Sequence, residues 1–379
     1  MQYRKLGKLG KTSALGFGCM RLPIDEQDRK IKRDEAIALI RKGIDNGITY
    51  VDTAWTYHGG ESEVVVGLAL KDGYREKVTL VTKCPVGHSE FTKPEDFDRY
   101  LDEQLERLGL DSVDIYLLHA LNKKTYEEKV LKFKLIERAM EAKKEGKFKH
   151  LGFSFHDTPE VLKEIIDSGY FELMLVQYNI IDQVNHEMIN YAGKKGLAVA
   201  TMGSVGGGRL AGSSLPEEMK EWLTPGRKNF ADLALKFVLS NPNVSVALSG
   251  MGSEEMLDDN LRITSRSDYD KPTAKEIESF DSIATRFKEL CDNICTQCKY
   301  CQPCPNDVNI SFIFSSLQRH QIYGDTEKAK YYYSVIGKMP WASGENALAC
   351  EECGECLEKC PQGIAIIDQL KKAHDILAN

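Results

Sequence analysis

ITYVDTAWTY, residues 48 to 57, opens as an apolar, β-branched run and turns polar at its C-terminal end, through Asp52, Thr53, Thr56 and Tyr57. Seven other runs of this kind punctuate the first 250 residues: Ala14–Gly18, Val78–Lys83, Val113–His119, His150–His156, Leu173–Asn179, Leu197–Met202 and Val244–Gly250. The stretches between them show helical periodicity. Ala36, Ile37, Ile40 and Ile44 share one face over residues 34–46. Phe97, Leu101, Leu105 and Leu108 do the same over 94–108, with Thr92 as the expected cap, and one long charged helix is expected over 126–145. Glycines 47, 109, 146, 169 and 196 fall where helices should stop. Strand and helix in eightfold alternation predict a parallel (β/α)8 barrel. A doubly wound open sheet is the alternative. The barrel is preferred because no GxGxxG follows the first run. Polar residues also collect at the ends of the runs, where barrels place their chemistry.

Beyond Gly250 the pattern changes. A helix over residues 268–290 leads out of the barrel into a cysteine-rich region with a further helical stretch over 311–323. The boundary is placed near residue 288: a barrel domain over 1–288, then a small, mainly helical domain over 289–379.

The chain has 379 residues, 50 Lys and Arg against 57 Asp and Glu, and a net charge of −7. This balance argues against nucleic acid as the main partner, because phosphate binding needs concentrated positive charge. No apolar run approaches the ~20 residues of a membrane helix. The opening MQYRKLGKLGKTS lacks a signal peptide's apolar core, so a cytoplasmic location is expected.

Eleven cysteines are unevenly placed, nine of them between Cys291 and Cys360. Reduced thiols clustered in a cytosolic chain read as metal ligands before disulfides. Cys350, Cys353, Cys356 and Cys360, followed by Pro361, repeat the bacterial iron–sulfur spacing C-x2-C-x2-C-x3-C-P. A structural zinc site is the bland reading, but zinc pairs are usually spaced more widely. Cys295, Cys298, Cys301 and Cys304, followed by Pro305, form a second group with a shorter last interval. Two such groups suit two [4Fe-4S] clusters with exchanged fourth ligands. Cys295, Cys298, Cys301 and Cys360 then hold one, and Cys350, Cys353, Cys356 and Cys304 the other. The irregular interval leaves a single cluster as the alternative. The helical periodicity between the groups resembles dicluster ferredoxin modules.

Three of the runs bring a chemically legible set to neighbouring strand ends: Asp52 and Tyr57 at the second, Lys83 at the third and His119 at the fourth. A free phenol titrates near 10. A nearby ammonium is expected to lower that value, a carboxylate to hold the ammonium, and a histidine to position a substrate oxygen. Such a group can protonate a carbonyl while hydride arrives at carbon. Each residue alone would more often be a structural ion pair or a core side chain. The joint placement is the signal.

GFGCMR, DTAxxY followed by GxSE, TK, LLH, GFSFH, QYN and SGM together cover about residues 1–265, and with them the chain resembles the aldo/keto reductases. With the cysteine region added, it resembles the branch fused to a C-terminal ferredoxin-type domain. The resemblance implies a catalytic tetrad of Asp52, Tyr57, Lys83 and His119. It also implies a nicotinamide dinucleotide laid across the barrel mouth. Ser154 and Gln177 would meet the carboxamide, with Asn179 nearby. Gly18 and Met20 would line the first loop, and Met202, Gly203 and Ser204 would lie beneath the ring and pyrophosphate. Gly250, Met251, Ser253, Asp259 and Asn260 would receive the adenosine end. SGMGSEEMLDDN lacks the Lys and Arg that usually hold a 2′-phosphate and carries four acidic residues there, so NADH is expected over NADPH. The expected activity is reversible carbonyl reduction or alcohol oxidation on a small molecule, attached or coupled to electron-transfer clusters that could meet a redox protein. The alternative is a redox-sensing or electron-transfer subunit that binds dinucleotide and a protein partner.

Overall fold

The computed structural model describes the chain apart from residues 26, 27, 29, 212–216, 224–228, 292–294, 296–298, 361 and 379. The side chains of residues 209, 217, 218 and 340 are likewise outside the description.

A two-stranded hairpin comes first, β1 (Tyr3–Lys5) against β2 (Lys11–Ser13). Eight parallel strands follow: β3 (Leu15–Gly18), β4 (Tyr50–Asp52), β5 (Thr79–Cys84), β6 (Val113–Leu121), β7 (Phe148–Phe155), β8 (Leu173–Gln177), β9 (Ala198–Met202) and β10 (Val246–Ser249). They close in chain order, with β10 paired to both β9 and β3. Each strand is one of the eight apolar runs, so the (β/α)8 expectation holds. The barrel interior is filled by Tyr50, Val81, Ile115, Leu117, Leu173, Leu175, Ala198, Ala200, Val246 and Leu248. Leu6, from the hairpin turn, joins this core from below. A barrel filled in this way is a packed core and not a pore, which confines chemistry to its mouth.

Helices at Arg33–Asp45 and Asp96–Leu108 stand where periodicity placed them. Gly109 ends the second in the left-handed region, φ 63°. Two local expectations change. Thr92 does not cap that helix; the Asp96 carboxylate accepts from the Thr92 and Lys93 backbone N–H groups, at 2.8 and 3.0 Å. The charged helix over 126–145 is broken into a wider π-type turn (Tyr126–Leu131) and a helix (Leu135–Lys144), with Lys134 left-handed at φ 52°. The reason is phase. Tyr126 and Val130 are buried, but the next buried positions are Leu135, Ile136 and Ala139, about one residue out of register with a continuous stripe.

The chain divides into two compact units: Met1–Asp25, Lys30–Val205 and Ala234–Thr273 form the barrel, and 26–29, Gly206–Leu233 and Ala274–Asn379 form the second. The second unit has its own core of Val308, Ile310, Ile313, Phe314, Leu317, Ala329, Tyr333, Ile366, Leu370 and Ala373. Its helices include Ala274–Leu290, Ile310–Tyr323, Thr326–Ser334 and Ile366–Leu377. Among the described residues no helix is long and apolar enough to cross a membrane.

Candidate active site

The strands of a parallel barrel all point their C-terminal ends to one face, so the ends of β4, β5 and β6 converge. Lys83 alternates with the outward Thr82 on β5 and reaches inward. Its ammonium lies 2.6 Å from Asp52 Oδ1, 2.7 Å from the Thr53 carbonyl and 3.0 Å from Tyr57 Oη. Three N–H donors meet three acceptors, and both members of the ion pair are buried. The Tyr57 and His119 rings meet edge to face at 6.1 Å between centroids. A bulge sets the histidine: the register of β6 against β7 shifts between Leu118 and Leu121, and Ala120 takes φ 53°. Such an irregularity re-aims a strand-end side chain. The Ala120 N–H then donates to Ser154 Oγ at 2.7 Å.

Burial dominates the electrostatics. It pushes the Tyr57 phenol well above its ordinary value, and the Asp52 carboxylate adds to the effect. This corrects the expectation that the neighbouring ammonium would lower it. Lys83 spends its charge on Asp52, and a buried phenolate is costly. Burial also raises the Asp52 carboxyl, against the pull of Lys83. Burial, with Lys83 and His156, holds the His119 imidazole well below its usual value. The site therefore presents a protonated phenol and a neutral imidazole at pH 7.

The residues named for a dinucleotide lie at or beyond the same strand ends. Gly18 pairs with Asp52 across β3 and β4, and Met20 is exposed in the turn that follows. The Gln177 amide donates to Asp182. Asn179 is committed to loop structure: its amide donates to the Gly203 carbonyl at 2.9 Å, and its oxygen accepts from the Ile181 and Asp182 N–H groups. Met202 ends β9, partly buried against the barrel core. The Ser204 hydroxyl is buried 3.3 Å from Thr201 Oγ1. Gly250 follows β10, where a Cβ would come within 2.9 Å of Arg21. Met251 is fully buried. Ser253 caps the helix Glu254–Ser265, Asp259 pairs with Arg262, and the Asn260 amide donates to Ser249 Oγ. One cation was invisible in the local sequence: Lys42, from the helix Arg33–Asp45, pairs with Glu254 at 3.2 Å and Asp258 at 2.9 Å.

Sequence reasoning also missed the polar frame behind the mouth. Thr53 Oγ1 lies 2.9 Å from Ser62 Oγ, whose hydroxyl reaches the Cys19 carbonyl. Glu63 Oε1 accepts from Thr82 Oγ1 and Gln104 Nε2, each at 2.6 Å. The signal was the unassigned Ser-Glu of GxSE and a glutamine interrupting an apolar helix face.

In the second unit, Cys301, Cys304, Cys350, Cys353 and Cys356 line one pocket. Cys295, Cys301, Cys304, Cys350, Cys356 and Cys360 pack against the helical core. Burial, with Cys350, Cys304 and Cys353 close by, raises the Cys356 thiol. Cysteines of both groups line this pocket, and thiolate is the ligand type of an iron–sulfur cluster. Cys298 lies outside the described residues.

Residues 14–282 match the aldo/keto reductase family, and residues 294–365 match the 4Fe-4S dicluster domain. The chain is 27% identical over 304 residues to an L-galactose dehydrogenase of Arabidopsis thaliana, covering 74% of this chain and 94% of that one. It is 29% identical over 183 residues to an NADH-specific methylglyoxal reductase of Escherichia coli, covering 44% and 55%. An aldo-keto reductase of Bacillus halodurans, solved in its holo form, superposes with a TM-score of 0.63 at 28% identity, covering 75% of this chain and 96% of that one.

Proposed function

The chain belongs to the aldo/keto reductase family and carries a 4Fe-4S dicluster domain, and from that premise we propose a reversible carbonyl reductase in which Tyr57 gives and takes the proton. The observation that carries this is the Lys83 ammonium held 2.6 Å from Asp52 and 3.0 Å from the Tyr57 hydroxyl. A nicotinamide dinucleotide supplies hydride when bound. Tyr57 donates its proton to the carbonyl oxygen, and Lys83 stabilises the phenolate that results. Neutral His119 orients the same oxygen. In alcohol oxidation each step reverses.

Gly18, Met20, Ser154, Gln177, Met202, Gly203 and Ser204 would hold the nicotinamide half of the dinucleotide, and Gly250, Ser253 and the helix Glu254–Ser265 its adenosine half. Lys42 is neutralised by Glu254 and Asp258, which disfavours a 2′-phosphate and supports NADH as the preferred carrier. The functional division is a catalytic module over 1–288 and a cluster module over 289–379. Cys295, Cys298, Cys301 and Cys360 would hold one [4Fe-4S] cluster. Cys350, Cys353, Cys356 and Cys304 would hold the other, and together they supply one-electron transfer to a redox protein.

The test is anaerobic oxidation of NADH and NADPH with an aldehyde panel, comparing wild type with Tyr57→Phe. Turnover that Tyr57→Phe loses by about 100-fold or more supports the reading. Tight dinucleotide binding with no turnover in either protein overturns it in favour of a sensor subunit. The NADH preference fails if the two dinucleotides titrate with equal affinity.

A further inference from the structure

We propose that Gln104 and Glu63 are positioning residues that set the separation of the Lys83 ammonium and the Tyr57 phenol from behind the barrel wall. The inference rests on the reading of Tyr57 as the proton donor. Neither side chain lies in the mouth. Both are fully buried between β5 and the helices Glu61–Ala69 and Asp96–Leu108.

The chain of contacts is continuous. Gln104 Nε2 donates to the Lys83 backbone carbonyl at 3.1 Å and to Glu63 Oε1 at 2.6 Å, and lies 2.9 Å from Thr82 Oγ1. The glutamine is itself tethered, because its oxygen accepts from the Tyr116 hydroxyl at 2.7 Å. The other Glu63 oxygen faces Arg107 at 3.3 Å, and the same guanidinium nitrogen donates to the Trp55 carbonyl at 3.3 Å. Trp55 stands two residues before Tyr57. One buried carboxylate thus ties together the backbone that carries Lys83 and the loop that carries Tyr57.

Two physical arguments give this frame a role beyond stability. A buried carboxylate repays its desolvation poorly, and an apolar filling of the same volume is often as stable, so geometry is what such a group can supply. The Lys83 ammonium has its three donors engaged, so a backbone shift at Lys83 has no slack to absorb it. Catalytic geometry lost by a fraction of an ångström is costly in rate.

The test uses Gln104→Met, which keeps the length and removes the donor, and Thr82→Val, isosteric without the hydroxyl. Full-length protein would be assayed with NADH and 4-nitrobenzaldehyde, and each variant crystallised. Gln104→Met is expected to lower kcat about ten-fold with KM held within about two-fold, and to lengthen Lys83 Nζ to Tyr57 Oη beyond about 3.5 Å. Thr82→Val is expected to move both readouts in the same direction by less. A purely structural role would lower the unfolding midpoint and leave the kcat split and the distance untouched. Unchanged kcat and an unchanged 3.0 Å separation in both variants overturn the proposal. If Tyr57→Phe turns over like wild type, or the aldehyde is not reduced at all, the reading of Tyr57 fails instead. The crystallographic distance still decides the positioning claim.

Discussion

At the residue scale, burial keeps Tyr57 in the protonated form that reduction consumes. Burial and Asp52 hold its phenol well above 10, so the protonated form that reduction needs persists through the neutral and mildly alkaline range. The rate of reduction should therefore stay flat from about pH 6 to about pH 9 in steady-state assays. A fall across that interval would mean that the ammonium outweighs burial after all. His156 gives a second pH dependence. Burial pushes its imidazole down to about 4, whereas an unfolded histidine takes its proton near 6.5. The unfolded state then binds the extra proton first, and stability drains as pH falls from about 6.5 to about 4, by up to about 3 kcal/mol. Urea midpoints across that range should fall more steeply for wild type than for His156→Gln. Asp52, Tyr57, Lys83 and His119 were legible in the sequence because they gather at the ends of three successive apolar runs. Glu63 and Gln104 were not, because a polar residue on an amphipathic helix looks solvent-facing until the strand behind it is in place.

At the scale of elements, the strands were readable because a barrel buries both faces of each strand, leaving near-continuous apolar runs. The short hairpin at Tyr3–Lys5 and Lys11–Ser13 left no such mark, being three residues a side and partly exposed. Helix junctions were equally silent. Gly67 shows why. A Cβ built there would stand 2.2 Å from the Leu108 carbonyl oxygen, so the helix Glu61–Ala69 and the end of Asp96–Leu108 meet with no room for a methyl group. In the sequence it is merely a glycine inside a helix. Gly67→Ala should destabilise the barrel by about 3 kcal/mol in urea denaturation, since the obstacle is backbone and cannot swing aside. Because that helix also carries Ser62 and Glu63, the surviving folded fraction should show slower turnover as well.

At the scale of the whole chain, the composition shift at Cys291 announced a second module. It could not announce that Gly206–Leu233 groups with Ala274–Asn379 as one compact unit. Such long-range grouping leaves no local periodicity to read. The cysteine spacing carried the metal type but not the partition of ligands. Cys301 and Cys304 of the first group line the same pocket as Cys350, Cys353 and Cys356 of the second, so the fold brings the two groups together without dividing the ligands between clusters. If ligands are exchanged, Cys304→Ala and Cys350→Ala damage one cluster, and Cys295→Ala and Cys360→Ala damage the other. Wild type purified anaerobically should hold about eight iron atoms per chain, and each single variant about four. The double variants separate the partitions. Cys304→Ala with Cys350→Ala should stay near about four iron atoms, while Cys350→Ala with Cys360→Ala should fall toward none. Groups that each kept their own four cysteines would give the reverse pattern: near none for the first pair, about four for the second. Iron and sulfide analysis with low-temperature electron paramagnetic resonance of the reduced proteins reads both outcomes directly.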